Sequence, residues 1–167
     1  MGDKETLANF IKWGTEKYPA KRTMLVIWNH GQGFRVAPGM KDTHRSVSSD
    51  DETGNIIFNS DVAAAIKTAL GSKKLDIVSF DACLMAMIEP AYELRDRAKF
   101  LVGSEELEPG DGWDYGFLAN LAKQPATTEA QALGKWVVDS YKFDLRYYDT
   151  DISGLDGEVV LSLTRSF

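Results

Sequence analysis

Cysteine is nearly absent from this chain of 167 residues: Cys83 stands alone, and there are two histidines, His30 and His44. A single cysteine excludes an internal disulfide, so Cys83 is either a packed thiol or a working one. One Cys and two His also give no recognisable zinc spacing, and no metal site is expected. No apolar run approaches the ~18 residues needed to cross a bilayer. The start, Met1-Gly2-Asp3-Lys4-Glu5, lacks the apolar core of an export signal. Positive charge is in deficit, with 19 Lys and Arg against 25 Asp and Glu and a formal net charge of −6. That balance argues against nucleic acid or an anionic membrane as partner and suits a cationic ligand better. Neither an internal repeat nor a low-complexity tract is present, and the length fits one domain with a real core.

Two short β-rich runs carry most of the information. Thr23 to Trp28 empties into Asn29-His30-Gly31-Gln32-Gly33, and Leu75 to Phe80 empties into Asp81-Ala82-Cys83. Runs of this kind with polar mouths read as buried parallel strands. Around them the spacing predicts a helix over about Lys4 to Tyr18, a strand over about Arg22 to Trp28 and a second helix capped by Ser60 or Asp61 and ended by Gly71. It predicts further strands over about Lys99 to Ser104 and Glu158 to Leu163. Shorter helical patterns begin near Met87, near Tyr115 and after Thr127 or Thr128. A start near Met87 would put Pro90 in a first turn, where proline is tolerated. Residues 31–59 read as a long polar loop. Strands alternating with helices give an α/β layer fold.

In an open α/β sheet, chemistry collects beyond the carboxyl ends of the strands. A thiol and an imidazole delivered there by neighbouring strands are the parts of a nucleophilic catalyst. A lone buried cysteine is more often a small core residue, and a lone histidine after a strand carries the same plain reading. The joint context, with Gly31 beside the histidine and a helix expected just past the cysteine, favours catalysis. That helix N-terminus would favour thiolate over thiol. The N–H groups of Gly31 and Cys83 are the natural oxyanion donors, and His30 would protonate the leaving amine.

Trp28-Asn29-His30-Gly31-Gln32-Gly33-Phe34 and Asp81-Ala82-Cys83-Leu84-Met85-Ala86-Met87-Ile88-Glu89 resemble the two signature segments of the clostripain-like cysteine peptidases, relatives of caspases, legumains and gingipains. The likeness continues through Ala91 to Arg95 and Gly103 to Glu106, and spans the first helix to about Tyr148. It implies a caspase-like three-layer α/β sandwich with a mostly parallel sheet, and a catalytic dyad of His30 and Cys83. It also implies cleavage after Arg or Lys, with carboxylates receiving that side chain. Asp81 matches one such position and Asp111 is the candidate for the second; the plainer readings are a helix N-cap for Asp81 and a turn residue for Asp111. Glu105, Glu106 and Glu108 read as a solvated acidic loop.

Other expectations follow from the same resemblance. Members are commonly activated by a cut between the two segments, which makes Lys41 and Arg45 candidates for self-cleavage in an exposed loop. Calcium accompanies some members, but Asp50, Asp51, Glu52, Asp149 and Asp151 show no ligand spacing and read as solvated charge. Similar proteins are often secreted or periplasmic. The family's first strands are missing before His30, so residues 1–167 read as one peptidase domain truncated at the N-terminus, with a C-terminal end that also stops early. A partner chain or a dimer would then complete the sheet. Two other readings stay open: a catalytically inactive remnant or binding module of the same fold, and an unrelated domain with a merely packed thiol.

Overall fold

The structure, a computed structural model, describes residues 2–33, 46–108, 110, 112–124, 128–141 and the backbone of 161–165. Lys41, Arg45, Asp111, Asp149 and Asp151 lie outside the described residues.

Helix α1 spans Lys4–Lys17 and buries Leu7, Ala8 and Ile11. Asp3 caps it, its carboxylate accepting the Thr6 N–H at 2.7 Å and the Thr6 hydroxyl at 2.8 Å. Those bonds hold the Asp3 pKa below the ordinary value. Strand β1, Met24–Trp28, follows. Helix α2 runs Asn59–Leu70 with Phe58 at the cap position. Asp61 does not cap it from outside, as the sequence suggests; it sits in the first turn and reaches back to accept the Phe58 N–H at 3.1 Å. Gly71, with φ +65, ends the helix in a left-handed conformation that glycine adopts without strain.

Strand β4, Leu75–Asp81, is central and almost wholly buried. It pairs parallel with β1 on one side and with β5, Ala98–Ser104, on the other. Strand β6, Leu161–Arg165, pairs antiparallel with β5, giving the order β1-β4-β5-β6. Among the described residues no strand pairs with the outer edge of β1. Helix α3 spans Ile88–Leu94, which leaves Pro90 in its first turn. Helices α4, Phe117–Lys123, and α5, Ala130–Ser140, complete the helices described.

The sheet separates two apolar layers. Leu7 and Ile11 of α1, Val62 and Ile66 of α2, and Val78 and Phe80 of the sheet pack on one face. Ile77 and Val102 of the sheet meet Trp113, Phe117 and Val137 on the other. Burying one large aliphatic or aromatic side chain of this kind contributes roughly 1.5–3 kcal/mol. Helices on both faces of a mostly parallel sheet make the three-layer α/β architecture expected.

One expectation fails. The described part of the polar loop forms an antiparallel hairpin, β2 at Ser46–Ser49 and β3 at Ile56–Phe58. Its serines hide it from a hydropathy pattern, yet Val47 and Ile57 are fully buried against the helical layer.

Candidate active site

Parallel pairing of β1 and β4 puts the two signature segments level. Their last register pair is Trp28 with Asp81, and the Asn29 N–H then donates to the Asp81 carbonyl at 3.3 Å. His30 and Cys83 each come two residues beyond that pair, at the same end of adjacent strands. Gly31 locks the segments together. A Cβ there would overlap the Cys83 carbonyl and lie 2.9 Å from Met85 Cγ. His30 is exposed and Cys83 is partly exposed, so both functional groups can be reached from solvent. Neither the Gly31 nor the Cys83 N–H takes part in the backbone hydrogen bonds among the described residues.

Asn29 is a residue that sequence reasoning passed over. Its side chain accepts the Ser49 N–H at 3.1 Å and donates to the Ser49 carbonyl at 3.2 Å. It also accepts the His30 N–H at 2.7 Å. One amide therefore acts as a strand neighbour for β2 while fixing the backbone that carries the imidazole. A polar residue at the mouth of a strand was the available signal.

The surroundings of the thiol differ from expectation. Helix α3 begins at Ile88 with Met87 at its cap, five residues past Cys83, so the cysteine does not itself lead into the helix. Leu84 instead has φ +60, an uncommon left-handed turn for a branched residue. Strain of this sort clusters at functional sites. The Glu108 N–H donates to Cys83 Sγ at 3.1 Å. Backbone bonds from Leu84 N–H to the Glu106 carbonyl (3.0 Å) and from Ala86 N–H to the Ser104 carbonyl (2.8 Å) hold the two loops side by side.

Asp81 is 2% exposed and caps no helix, since α3 starts further on. Its carboxylate accepts the Trp113 N–H at 3.2 Å and the Tyr115 hydroxyl at 2.8 Å. Burial, then the bond to Asp81, raises the Tyr115 pKa above its ordinary value. Gly112, with φ +72, sits close against Asp81 in a space too narrow for a side chain. A Cβ there would stand 2.9 Å from the Trp28 indole nitrogen and 3.0 Å from the Asp81 carboxylate. Trp28 itself is 65% exposed, a flat wall beside that space.

The acidic-loop reading of Glu108 is corrected. The residue is half-buried, with one carboxyl oxygen accepting the Trp113 indole N–H at 3.1 Å. The other oxygen is buried with no donor. Burial first, then the neighbouring Asp81 carboxylate, pushes its pKa up to about 8. Position after β5, level with the ends of β1 and β4, was the signal that could have found it.

A groove of about 640 Å³ lies on the sheet face toward α4 and α5, lined by Met24, Val26, Ile77, Phe117 and Leu133, and touches the site through Tyr115. Among the described residues no group of three or more His, Cys, Asp or Glu side chains is placed to hold a metal ion.

Helices on both faces of this sheet, with thiol, imidazole and buried carboxylate at its carboxyl edge, define a caspase-like cysteine-peptidase fold. The model of the clostripain family (peptidase family C11) matches residues 1–166, and the chain belongs to that family. It is 33% identical to clostripain from Hathewaya histolytica over 125 residues, covering 69% of this chain and 23% of that protein. A secreted C11 cysteine protease from Bacteroides thetaiotaomicron, solved with an irreversible peptide inhibitor, matches with a TM-score of 0.72 and 26% identity. That match covers 99% of this chain and 45% of the other. An inactive zymogen C11 protease from Parabacteroides distasonis matches in fold, with a TM-score of 0.66, 23% identity and coverage of 99% and 40%. The chain thus spans less than half the length of these relatives.

Proposed function

We propose that this chain carries the catalytic dyad of a cysteine endopeptidase that cleaves after Arg or Lys. The observation that carries the reading is the shared register of β1 and β4, which sets His30 and Cys83 at equal distance past paired residues. The Cys83 sulfur attacks the scissile carbonyl carbon and a C–S bond forms. The N–H groups of Gly31 and Cys83 face the resulting oxyanion. His30 gives a proton to the leaving amine as the C–N bond breaks, and later takes one from the water that hydrolyses the thioester. The Glu108 N–H on Sγ supports the thiolate where a helix terminus was expected to do so. This chemistry needs no metal or cofactor.

The buried Asp81 carboxylate supports the cationic preference. Asp111 joins it in our reading as a second carboxylate, and a guanidinium between them makes bidentate, charge-assisted hydrogen bonds. The exposed Trp28 face adds a surface for cation–π contact. Self-cleavage after Lys41 or Arg45, secretion, and completion of the sheet by further chain belong to the same proposal.

An irreversible thiol reagent built on an arginyl peptide tests it. Labelling of Cys83 that is lost in both His30→Ala and Asp81→Ala supports the peptidase. Labelling by small alkylators but not by the arginyl reagent would favour the inactive remnant or binding module instead. Mass spectrometry after incubation should find a cut after Lys41 or Arg45 that Cys83→Ala abolishes.

A further inference from the structure

Asp81 and Glu108 present an unusual problem in charge. Asp81 is buried and already accepts two hydrogen bonds. Glu108 lies beside it with one oxygen on the Trp113 indole and the other buried without a donor. No salt bridge to Lys or Arg reaches either carboxyl among the described residues. The titratable groups that the described residues place around Glu108 are Asp81 at the end of β4 and Tyr115 beyond Gly112, with the Cys83 thiol taking the Glu108 N–H and His30 level with Cys83 past the end of β1. Of these only His30 can carry positive charge. Two adjacent carboxylates with no cation between them repel, and such a pair relieves the repulsion by keeping one proton.

We propose that Glu108 is a further cation-binding carboxyl of this pocket, neutral and hydrogen-bonded to Asp81 while the pocket is empty and ionised when a guanidinium or ammonium enters. The proton leaves to solvent, the O–H bond of Glu108 breaks, and the incoming cation takes over the proton's place between two carboxylates. Once ionised, the second oxygen of Glu108 accepts a hydrogen bond from that cation in place of the one it gave to Asp81. The inference rests on the cation pocket proposed above and adds its mechanism of discrimination. A neutral side chain of the same shape cannot displace the proton, so it meets a neutral wall on one side. The loop also ties specificity to chemistry, because the residue that senses the cation is the one whose N–H touches the nucleophile.

A raised Glu108 pKa of about 8 in the empty pocket sets the scale. At pH 7 most of the molecules would hold the proton, so binding would release up to one. Below that pKa, affinity for the cation would rise about tenfold per pH unit, and would level off above it.

Calorimetric titration of the full chain carrying Cys83→Ala reads this directly. An uncleaved arginyl peptide and its citrulline counterpart are titrated at pH 7 in two buffers of different ionisation enthalpy. The expected result is release of about one proton with the arginyl peptide, none with citrulline, and none with arginyl peptide when Glu108→Gln is added. Tight arginyl binding with no proton released overturns this inference while leaving the cation pocket standing. Release that persists in Glu108→Gln assigns the proton to another group, such as His30, and also overturns it. An arginyl peptide that binds no better than citrulline sinks the cation pocket itself. The citrulline comparison needs no change at Glu108, so binding of the arginyl peptide without proton release overturns the inference even if that variant folds poorly.

Discussion

At Cys83 the electrostatic help comes from a neutral amide. On the dyad proposed above, His30→Ala should lower kcat/KM by about 10²–10⁴ with an arginyl substrate. Steady-state kinetics with unaltered thermal unfolding would separate that loss from misfolding. Glu108 makes a second prediction at this scale, with a definite sign. Its folded pKa is raised to about 8 from an ordinary 4.5, because burial and Asp81 favour the neutral acid. Between those values the unfolded chain loses the proton while the folded chain keeps it. Its contribution to stability is present in full below about pH 4.5, declines as pH rises, and is gone above about 8. Glu108→Gln, which cannot ionise, should gain in Tm relative to the parent as pH is raised from 5 to 8. A difference in Tm that stays constant across that range would remove the case for a protonated Glu108. The aspartate before the nucleophile was legible from sequence because it belongs to a short motif. Glu108 was not, since three neighbouring acids in a Gly-Pro loop look alike until one is folded inward.

Elements show the same division. Helix α1 and strands β1, β4 and β5 follow from local pattern: apolar spacing, a capping Asp3 and short, mostly apolar runs leave little choice. The β2–β3 hairpin does not, because Ser46, Ser48 and Ser49 offer no alternation and what holds them is distant. Asn29 supplies that distant hold through both backbone groups of Ser49. Asn29→Ala should cost about 1–3 kcal/mol, since partly buried backbone groups lose their partner. It should also lower activity beyond any loss of folded protein, because the His30 N–H is released at the same time. Denaturant unfolding and kcat measured on the same samples would separate the two effects. Where α3 begins was nearly readable: Pro90 needs a first-turn position, and Ile88 gives it one.

For the molecule as a whole, the sheet is the device that makes one site of two segments 53 residues apart. Phe80, fully buried on β4, holds the central strand to the helical layer, and Phe80→Ala should destabilise by about 3–5 kcal/mol through lost contacts and a cavity. A shift in urea midpoint with unchanged slope would record it. Gly31 acts at the other level. Any side chain there meets the Cys83 carbonyl, so Gly31→Ala should separate the two loops and abolish labelling by the arginyl reagent. Far-ultraviolet circular dichroism should show the fold retained, because the core beneath is untouched.

Sequence by itself determined the layered α/β class, the parallel strands and the family, and it singled out His30 and Cys83 as candidates, because periodicity and short motifs are local properties of a chain. Tertiary structure decided what surrounds them: the hairpin braced by Asn29, the amide from Glu108 on the sulfur, and the pairing of Glu108 with Asp81. Each of these depends on how loops from different strands lie against one another, and burial and charge proximity arise only when those loops meet.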